Sequence, residues 1–407
     1  MTDKHITVDA IRWHSVLPWL HLLQAGRFAF RLRVWLLGFA TAAVFGWSSW
    51  ALEKLPFIDG VYVGPNGPFV PTSPGIPHIK NAGGPGHTSP TLSMILRGDF
   101  MGLESALTTL LFWPVEMVST PLGLLHLRDN SWSKLAHLWT WGLFALIVWG
   151  ILAGALTRMI GVRFARDESL PLRNALAFSL RNWQSYVYAP LLPMLGVLLL
   201  AAVGGGFGLL SNLCSSLSAV LATLLAFVPT LCGLAMSALM LLTIIAWPLM
   251  VAAISVEGGD GFDGLSRAFG YVMNRPLYLV LLVLLAKYVA ALAIAVPWVV
   301  CETGLWLAEW SLHWTIAEHA ADVRLLTDFW MSIVHGLQIG AVVSFFWSAT
   351  VVSYFLLRQS DDGTPLDQVY IPGPPPKPEP LPVVGVAASE QPVIERPTTE
   401  SAGPTSQ

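Results

Sequence analysis

Residues 277–300 read LYLVLLVLLAKYVAALAIAVPWVV, an apolar run in which Lys287 carries the only charge. A helix of about 20 mostly apolar residues crosses a hydrocarbon core of about 30 Å. Five further runs meet the same test, at residues 34–52, 135–157, 187–210, 230–256 and 329–357. The sequence therefore predicts an all-α, polytopic transmembrane helix bundle of about six spans, with a membrane domain over residues 34–357.

The composition agrees with lipid as the solvent for most of the chain. Of 407 residues, 54% are hydrophobic and 12% are charged, and the mean hydropathy is +0.62. The charged fraction is about half that of an ordinary soluble domain, which excludes a water-soluble enzyme of this length. A net charge of −3 offers no cationic field for nucleic acid. Three widely spaced cysteines provide neither a disulfide scaffold nor a metal site.

Basic residues near the span ends predict the orientation in the membrane. Eleven arginines, from Arg27 to Arg358, fall on the side of the N-terminus, whereas four basic residues fall on the opposite side. This excess places both termini in the cytoplasm of a bacterium, with the chain in its inner membrane and an even number of spans. Residues 1–33 are predicted to form a cytoplasmic amphipathic segment. Because no small-residue cleavage site precedes the first span, a secretory signal peptide is not expected. Tryptophans near span ends, such as Trp298 and Trp347, are expected in the headgroup layer.

The segments between and after the spans have distinct compositions. Residues 53–99 form an outer loop rich in glycine and proline. Residues 101–127 are apolar but broken by prolines, which predicts an amphipathic or re-entrant helix pair, and residues 217–227 predict a re-entrant or interfacial half-helix. Residues 358–407 predict a disordered, proline-rich cytoplasmic tail with polyproline II character.

Two similar inner segments, residues 158–186 and 257–278, each leave one predicted span and enter the next. Acidic, small, apolar, asparagine and tyrosine residues recur in them at matched offsets, which favours an internal repeat. Each contains an amphipathic helix typical of the membrane interface, and Asp260 is placed to cap the second. In the first copy two arginines can face lipid phosphates. The predicted membrane-interface residues are Arg173, Arg181, Phe262, Leu265, Arg267 and Phe269.

The string EGGDGFDGLSRAFGYVMNRP at residues 257–276 resembles a group of uncharacterised bacterial polytopic membrane proteins with a repeated cytoplasmic amphipathic elbow. More loosely, it is similar to the membrane region that precedes the catalytic domain of some glycerophosphodiester phosphodiesterases. The resemblance covers roughly residues 158–300 and implies topology only. Phosphodiesterase activity is not expected, because only the proline-rich tail follows residue 357.

Three polar residues inside the predicted spans are candidates for a substrate path. An ionisable group in hydrocarbon costs at least about 2.5 to 3.5 kcal/mol, which makes Lys287 a functional hypothesis. His335 and Gln338 share one face of the last span and, together with Lys287, can line a polar seam between helices. A structural role is favoured over a functional one for all three, through snorkelling of Lys287 and interhelical hydrogen bonds of the other two.

The outer segment after residue 300 carries a weak metal-ligand pattern. Glu309 and His313 are spaced i, i+4, and Glu318, His319 and Asp322 follow. A solvated amphipathic helix explains these residues without a metal. No catalytic motif is present, so no catalytic residue, metal or cofactor is predicted.

These observations favour a non-enzymatic integral membrane protein that acts as a scaffold or accessory subunit. Its partners would be the lipid bilayer and a membrane protein or a second copy of the chain, and not nucleic acid. The alternative is a transporter of a small solute or lipid along the seam of Lys287, His335 and Gln338. An intramembrane metal enzyme using Glu309 and His313 is a third hypothesis.

Overall fold

Helices make up nearly all of the described chain, which confirms the all-α polytopic class. The computed structural model describes residues 17–53, 94, 97–123, 132–213, 227–315, 321–371, 384–386 and 392–394. A 3₁₀ turn at Pro18–Leu23 leads into the first helix. The helices are α1 (Gln24–Ala29), α2 (Leu32–Glu53), α3 (Phe100–Leu111), α4 (Trp113–Gly123), α5 (Trp132–Arg166), α6 (Leu172–Arg181), α7 (Trp183–Leu213), α8 (Phe227–Glu257), α9 (Gly261–Asn274), α10 (Pro276–Thr315) and α11 (Ala321–Asp362).

Five helices, α5, α7, α8, α10 and α11, are each long and apolar enough to cross a membrane. The predicted first span is different. Residues 32–48 of α2 meet the same test only together with the preceding segment Pro18–Ala29, from which they are bent by 74°. The chain is therefore a multi-pass membrane protein, and its described residues contain five candidate spans, or six if the bent pair is one span.

Helix α11 lies at the centre of the bundle. An 18-residue stretch of this helix is 100% buried, and the helix contacts α1, α2, α5, α8 and α10. The corresponding 18-residue stretches of α7 and α10 are only 22% and 28% buried. Their outward side chains are apolar, such as Leu199 on α7 and Leu292 on α10. Because apolar side chains on an open face suit hydrocarbon, these two helices are expected to meet lipid or another membrane protein.

Aromatic side chains fill the middle of the bundle. Trp149 lies 5.0 Å from Phe45 and 5.7 Å from both Trp113 and Trp347, between ring centroids, and Trp247 lies 5.6 Å from Trp347. Such edge and tilted pairs add stability beyond the area that they bury. The expectation of an interfacial Trp347 is therefore wrong, because this side chain is completely buried.

The helices α6 and α9 fall inside the two predicted inner elbows, each between consecutive spans. The Asp260 carboxylate accepts a hydrogen bond of 2.8 Å from the Asp263 amide and caps α9, as the sequence predicted. Gly258 has φ of 69° between α8 and α9, in the left-handed region that favours glycine. Whether the two elbows arose by duplication stays a prediction.

Residues 101–127 contain the expected helix pair, α3 and α4, joined at Phe112. The Asp99 carboxylate accepts from the Gly102 amide at 2.9 Å and caps α3. The predicted half-helix at 217–227 and most of the loop at 53–99 lie outside the described residues. Helix α8 begins at Phe227.

The tail begins later than the sequence predicted. Helix α11 continues to Asp362, and Gly363 then turns the chain with φ of 68°. Arg358 holds the following segment by donating to the carbonyl oxygens of Pro365 and Gln368 at 3.2 and 2.6 Å. The segment held by Arg358 thus packs against the membrane domain as far as Val369, which is buried. The predicted start of the tail at residue 358 was wrong. Local composition does not indicate that Arg358 binds carbonyl oxygens seven and ten residues further along the chain.

Residues 370–407 form a separate compact unit. Within it, strand β1 (Val384–Val386) pairs antiparallel with strand β2 (Pro392–Ile394). The pairing aligns Val384 with Ile394.

Candidate functional site

A buried acid and imidazole meet between α10 and α11. The side chains of Glu302 and His335 are 8% and 11% exposed, and Oε1 of the first lies 3.7 Å from Nε2 of the second. His335 Nδ1 lies 3.0 Å from the Met331 carbonyl oxygen. Because a carbonyl only accepts, Nδ1 carries a hydrogen. If His335 Nε2 and the Glu302 carboxyl group both lacked a proton, their lone pairs would face each other. At least one of these two groups is therefore expected to be protonated.

Gln338 joins this cluster through the backbone of α10. Its Nε2 donates to the Trp298 carbonyl oxygen at 3.3 Å, and the residue is buried. Glu302, which lies one turn after Trp298, was missed because the predicted span ended at residue 300, whereas α10 continues to Thr315. The helix that contains Lys287 therefore also carries a buried acidic residue.

Lys287 does not join the Glu302–His335 cluster. It lies about three turns before Trp298 on α10, about 16 Å along the helix axis at 1.5 Å per residue. Its side chain is half-buried. The structure thus brings together two members of the predicted seam, His335 and Gln338, and separates the third.

A cavity of about 270 Å³ lies between α8, α10, α11 and the junction of α3 and α4. Its walls include Leu249, Val283, Ala286 and Phe346. Thr350 also lines it, but its hydroxyl donates to the Phe346 carbonyl oxygen at 2.9 Å. This cavity is therefore suited to hydrocarbon and offers little to a polar solute.

A second buried polar cluster joins α5, α7 and α8. The Ser255 hydroxyl accepts from Thr157 at 2.6 Å and lies 2.9 Å from the Tyr186 hydroxyl. Arg158, which is 3% exposed, donates to the Ser255 carbonyl oxygen at 2.7 Å. A Cβ at Gly154 would lie 2.8 Å from the Tyr186 ring, so the glycine permits the helices to approach. These contacts hold the spans together and leave no open polar surface.

Glu257, at the end of α8, fixes the elbow helix α9 to α11. Its carboxylate lies 2.9 Å from Arg267 of α9 and 3.4 Å from Arg358 of α11, and accepts from the Tyr354 hydroxyl at 2.5 Å. Arg267 also contacts Asp263 at 3.0 Å. Burial lowers the pKa of Arg267, but the charges of Glu257 and Asp263 raise it, and the net shift is upward. Glu257 and its three partners, Arg267, Tyr354 and Arg358, are called the α9 clamp below.

The far end of α9 has a second attachment to α11. The Tyr271 hydroxyl donates to Asp362 at 2.5 Å, and the Asn274 amide donates to Asp361 at 3.0 Å. Arg275 donates to the Ser360 carbonyl oxygen at 3.0 Å. Burial, then the hydrogen bond and charge of Asp362, raise the pKa of Tyr271.

Tyr271→Phe is expected to cost about 1 kcal/mol at neutral pH through one lost hydrogen bond. Folded Tyr271 keeps its proton to a higher pH than the unfolded side chain, whose pKa is about 10. Its stabilisation is therefore complete below about pH 10 and is lost as pH rises towards the folded-state value. Unfolding midpoints in detergent across this range should fall less steeply for Tyr271→Phe than for wild type. Tyr288→Phe, at an exposed position, is the control; curves of equal slope for wild type and Tyr271→Phe would contradict the assignment.

The predicted membrane-interface residues differ in what they contact and in how exposed they are. Phe262 is 65% exposed and points outward, whereas Leu265 and Phe269 pack against the core. Arg267 pairs with the carboxylates of Glu257 and Asp263, and its place at the membrane interface stays a prediction. Helical periodicity could not reveal Glu257 as its partner, because the two lie on different helices. Arg173 and Arg181 on α6 are exposed.

The weak metal pattern is only partly covered by the structure. Glu309 and His313 lie on the backbone of α10, and their side chains, together with residues 316–320, are outside what the structure describes. In the described part of the chain, no group of three or more His, Cys, Asp or Glu residues is gathered.

Comparisons with protein-family models, with curated proteins and with solved structures find no match.

Proposed function

We propose that this chain is a non-enzymatic scaffold or accessory subunit of a bacterial inner membrane, with both termini in the cytoplasm. The observation that supports this role best is the α9 clamp. It fixes a helix that lies between two spans against the end of the central helix, and so provides a rigid surface at one face of the bundle. A fixed surface presents the same contacts to a partner at all times.

The interior of the bundle also supports this proposal. Two serine hydroxyls along α11 are occupied by backbone carbonyl oxygens of α2 and α11. Ser344 donates to the Val34 carbonyl oxygen at 3.0 Å and Ser348 to the Ser344 carbonyl oxygen at 2.7 Å. The centre of the bundle is also filled by Trp149, Trp247 and Trp347. This arrangement favours a scaffold over a transporter with a polar path through the bundle.

The test is copurification of the full chain from its native membrane in mild detergent. A companion, or a second copy, is expected in fixed stoichiometry, and Arg267→Gln is expected to reduce it by loosening α9. Arg97→Gln, an exposed position before α3, is the matched control. A chain that elutes alone and monomeric at every detergent concentration would reject the scaffold role.

A transporter is the second candidate, and the buried Glu302–His335 pair favours it. Ionisable pairs inside membranes often mark solute or proton paths. Reconstituted vesicles would be assayed for solute and lipid flux with wild type, Glu302→Gln, His335→Asn and Lys287→Met. If flux is lost in Glu302→Gln and His335→Asn but kept in Lys287→Met, the scaffold proposal would be replaced by a transporter that uses the Glu302–His335 pair.

The proposed orientation predicts which cysteine variants a membrane-impermeant thiol reagent will label. Arg166→Cys and Ser266→Cys, both exposed near the elbows, are expected to react only after the membrane is opened. Met101→Cys, on α3 and 82% exposed, is expected to react in intact cells. Labelling of the two elbow positions in intact cells would show that the orientation is the reverse of the proposed one.

A further inference from the structure

The two elbows use their arginines differently. On α9, Arg267 lies 2.9 Å from Glu257, and Arg275, just after the helix, lies 3.5 Å from Asp361. On α6, Arg173 and Arg181 are exposed, and no ion pair to either is found among the described residues. Thus the charges at α9 serve internal structure, and those at α6 face outward.

Exposed apolar side chains lie beside the α6 arginines. Leu180 is 53% exposed, Trp183 is 39% exposed and Leu172 is 37% exposed. At about 100° per residue, Leu172 and Leu180 fall within one sector of about 80° on α6, and Trp183 is the first residue of α7. Arg173 borders that sector, and the buried residues Ala175 and Ser179 lie on the other side. The helix thus has one face on the protein, one apolar face and one cationic face.

The charges around α6 leave a cationic excess. Asp167, which precedes the helix, is paired with Arg163 at 2.9 Å. The exposed Arg166 and Glu168 carry opposite charges. Arg173 and Arg181 therefore supply the net positive charge of this elbow.

We propose that α6 is a binding site for anionic phospholipid headgroups in the leaflet where it lies. Arg173 and Arg181 contact the phosphate groups, because a guanidinium presents several donors that fit phosphate oxygens. Leu172, Leu180 and Trp183 enter the region between headgroups and acyl chains, as in other interfacial helices. Because α6 joins the consecutive spans α5 and α7, it lies at the membrane boundary. The α9 elbow lacks this preference, since its arginines already have carboxylate partners.

This inference goes beyond the scaffold role, because it needs no protein companion. The test uses the purified full chain in vesicles that contain phosphatidylcholine and phosphatidylglycerol. Spin-labelled versions of the two lipids report their relative association with the protein. Wild type is expected to prefer phosphatidylglycerol, and this preference should weaken with salt, because the arginines are exposed.

The double variant Arg173→Gln/Arg181→Gln is expected to reduce the preference by about fivefold for each arginine removed. Arg173→Lys/Arg181→Lys should retain most of it, and Arg97→Gln all of it. Equal melting temperatures would show that the variants are folded. Unchanged preference in the double glutamine variant, or equal loss in Arg97→Gln, would overturn the proposal. Displacement of labelled phosphatidylglycerol by inorganic phosphate would also overturn it, since the site would then be one for the free anion.

Discussion

Glu257→Gln is expected to lower the free energy of unfolding by about 3 kcal/mol. Removal of this carboxylate charge leaves Arg358, whose side chain is 5% exposed, without its acidic partner, and weakens the acceptor of the Tyr354 hydroxyl. Breaking a buried pair from one side is costly because the remaining charge stays desolvated. Arg267 contributes less, since its side chain is 39% exposed and water can replace the carboxylate.

The matched control is Asp263→Asn, which removes the other carboxylate partner of Arg267. The Asp263 side chain is 43% exposed, so this change should cost only about 1 kcal/mol or less. Glu257→Gln combined with Arg358→Met should recover part of the loss, because no buried charge is then left unpaired. Unfolding in detergent gives all three values. If Glu257→Gln and Asp263→Asn cost the same, the clamp is a surface feature and does not fix α9.

The fold class followed from apolar run length, a property that needs no knowledge of contacts. The Asp260 cap was equally accessible, because a cap depends on residues three positions apart. The role of Arg267 was not accessible. The sequence placed Arg267 on the polar face of α9. Its partner Glu257, however, is the last residue of the preceding helix. Whether the Glu257 side chain turns towards α9 or towards water depends on the angle between the two helices.

The expected grouping of Lys287 with His335 and Gln338 was wrong for a related reason. The predicted span ended with the apolar run at Val300, two residues before Glu302, although the helix continues to Thr315. Lys287 was therefore the only charge inside that predicted span. His335 and Gln338 were correctly placed on one face, but their partners depend on how α10 and α11 are aligned. Helix length and alignment together determine which polar residues meet inside a bundle.

Gly38→Ala is expected to destabilise the protein by about 3 kcal/mol, although alanine normally stabilises a helix by about 1 kcal/mol relative to glycine. A Cβ at Gly38 would overlap the Gly340 carbonyl oxygen and the Ser344 hydroxyl. At Gly340 the added atom would lie 2.7 Å from the Phe39 Cα. These are mainly backbone contacts, so α2 and α11 must separate. Separation would also strain the Ser344 hydrogen bond to Val34 and the Trp35 bond to the Leu337 carbonyl oxygen.

Gly205→Ala on α7 gives the control with the opposite sign. A Cβ there has nothing within 4 Å, so only the helix preference acts and the melting temperature should rise slightly. Thermal unfolding of Gly38→Ala, Gly340→Ala and Gly205→Ala in one detergent measures the contrast. A Gly38→Ala protein as stable as Gly205→Ala would mean that α2 is not held at backbone contact. Loss of that contact would remove the support for the bent pair as a sixth span, and with five spans the two termini would lie on opposite sides of the membrane.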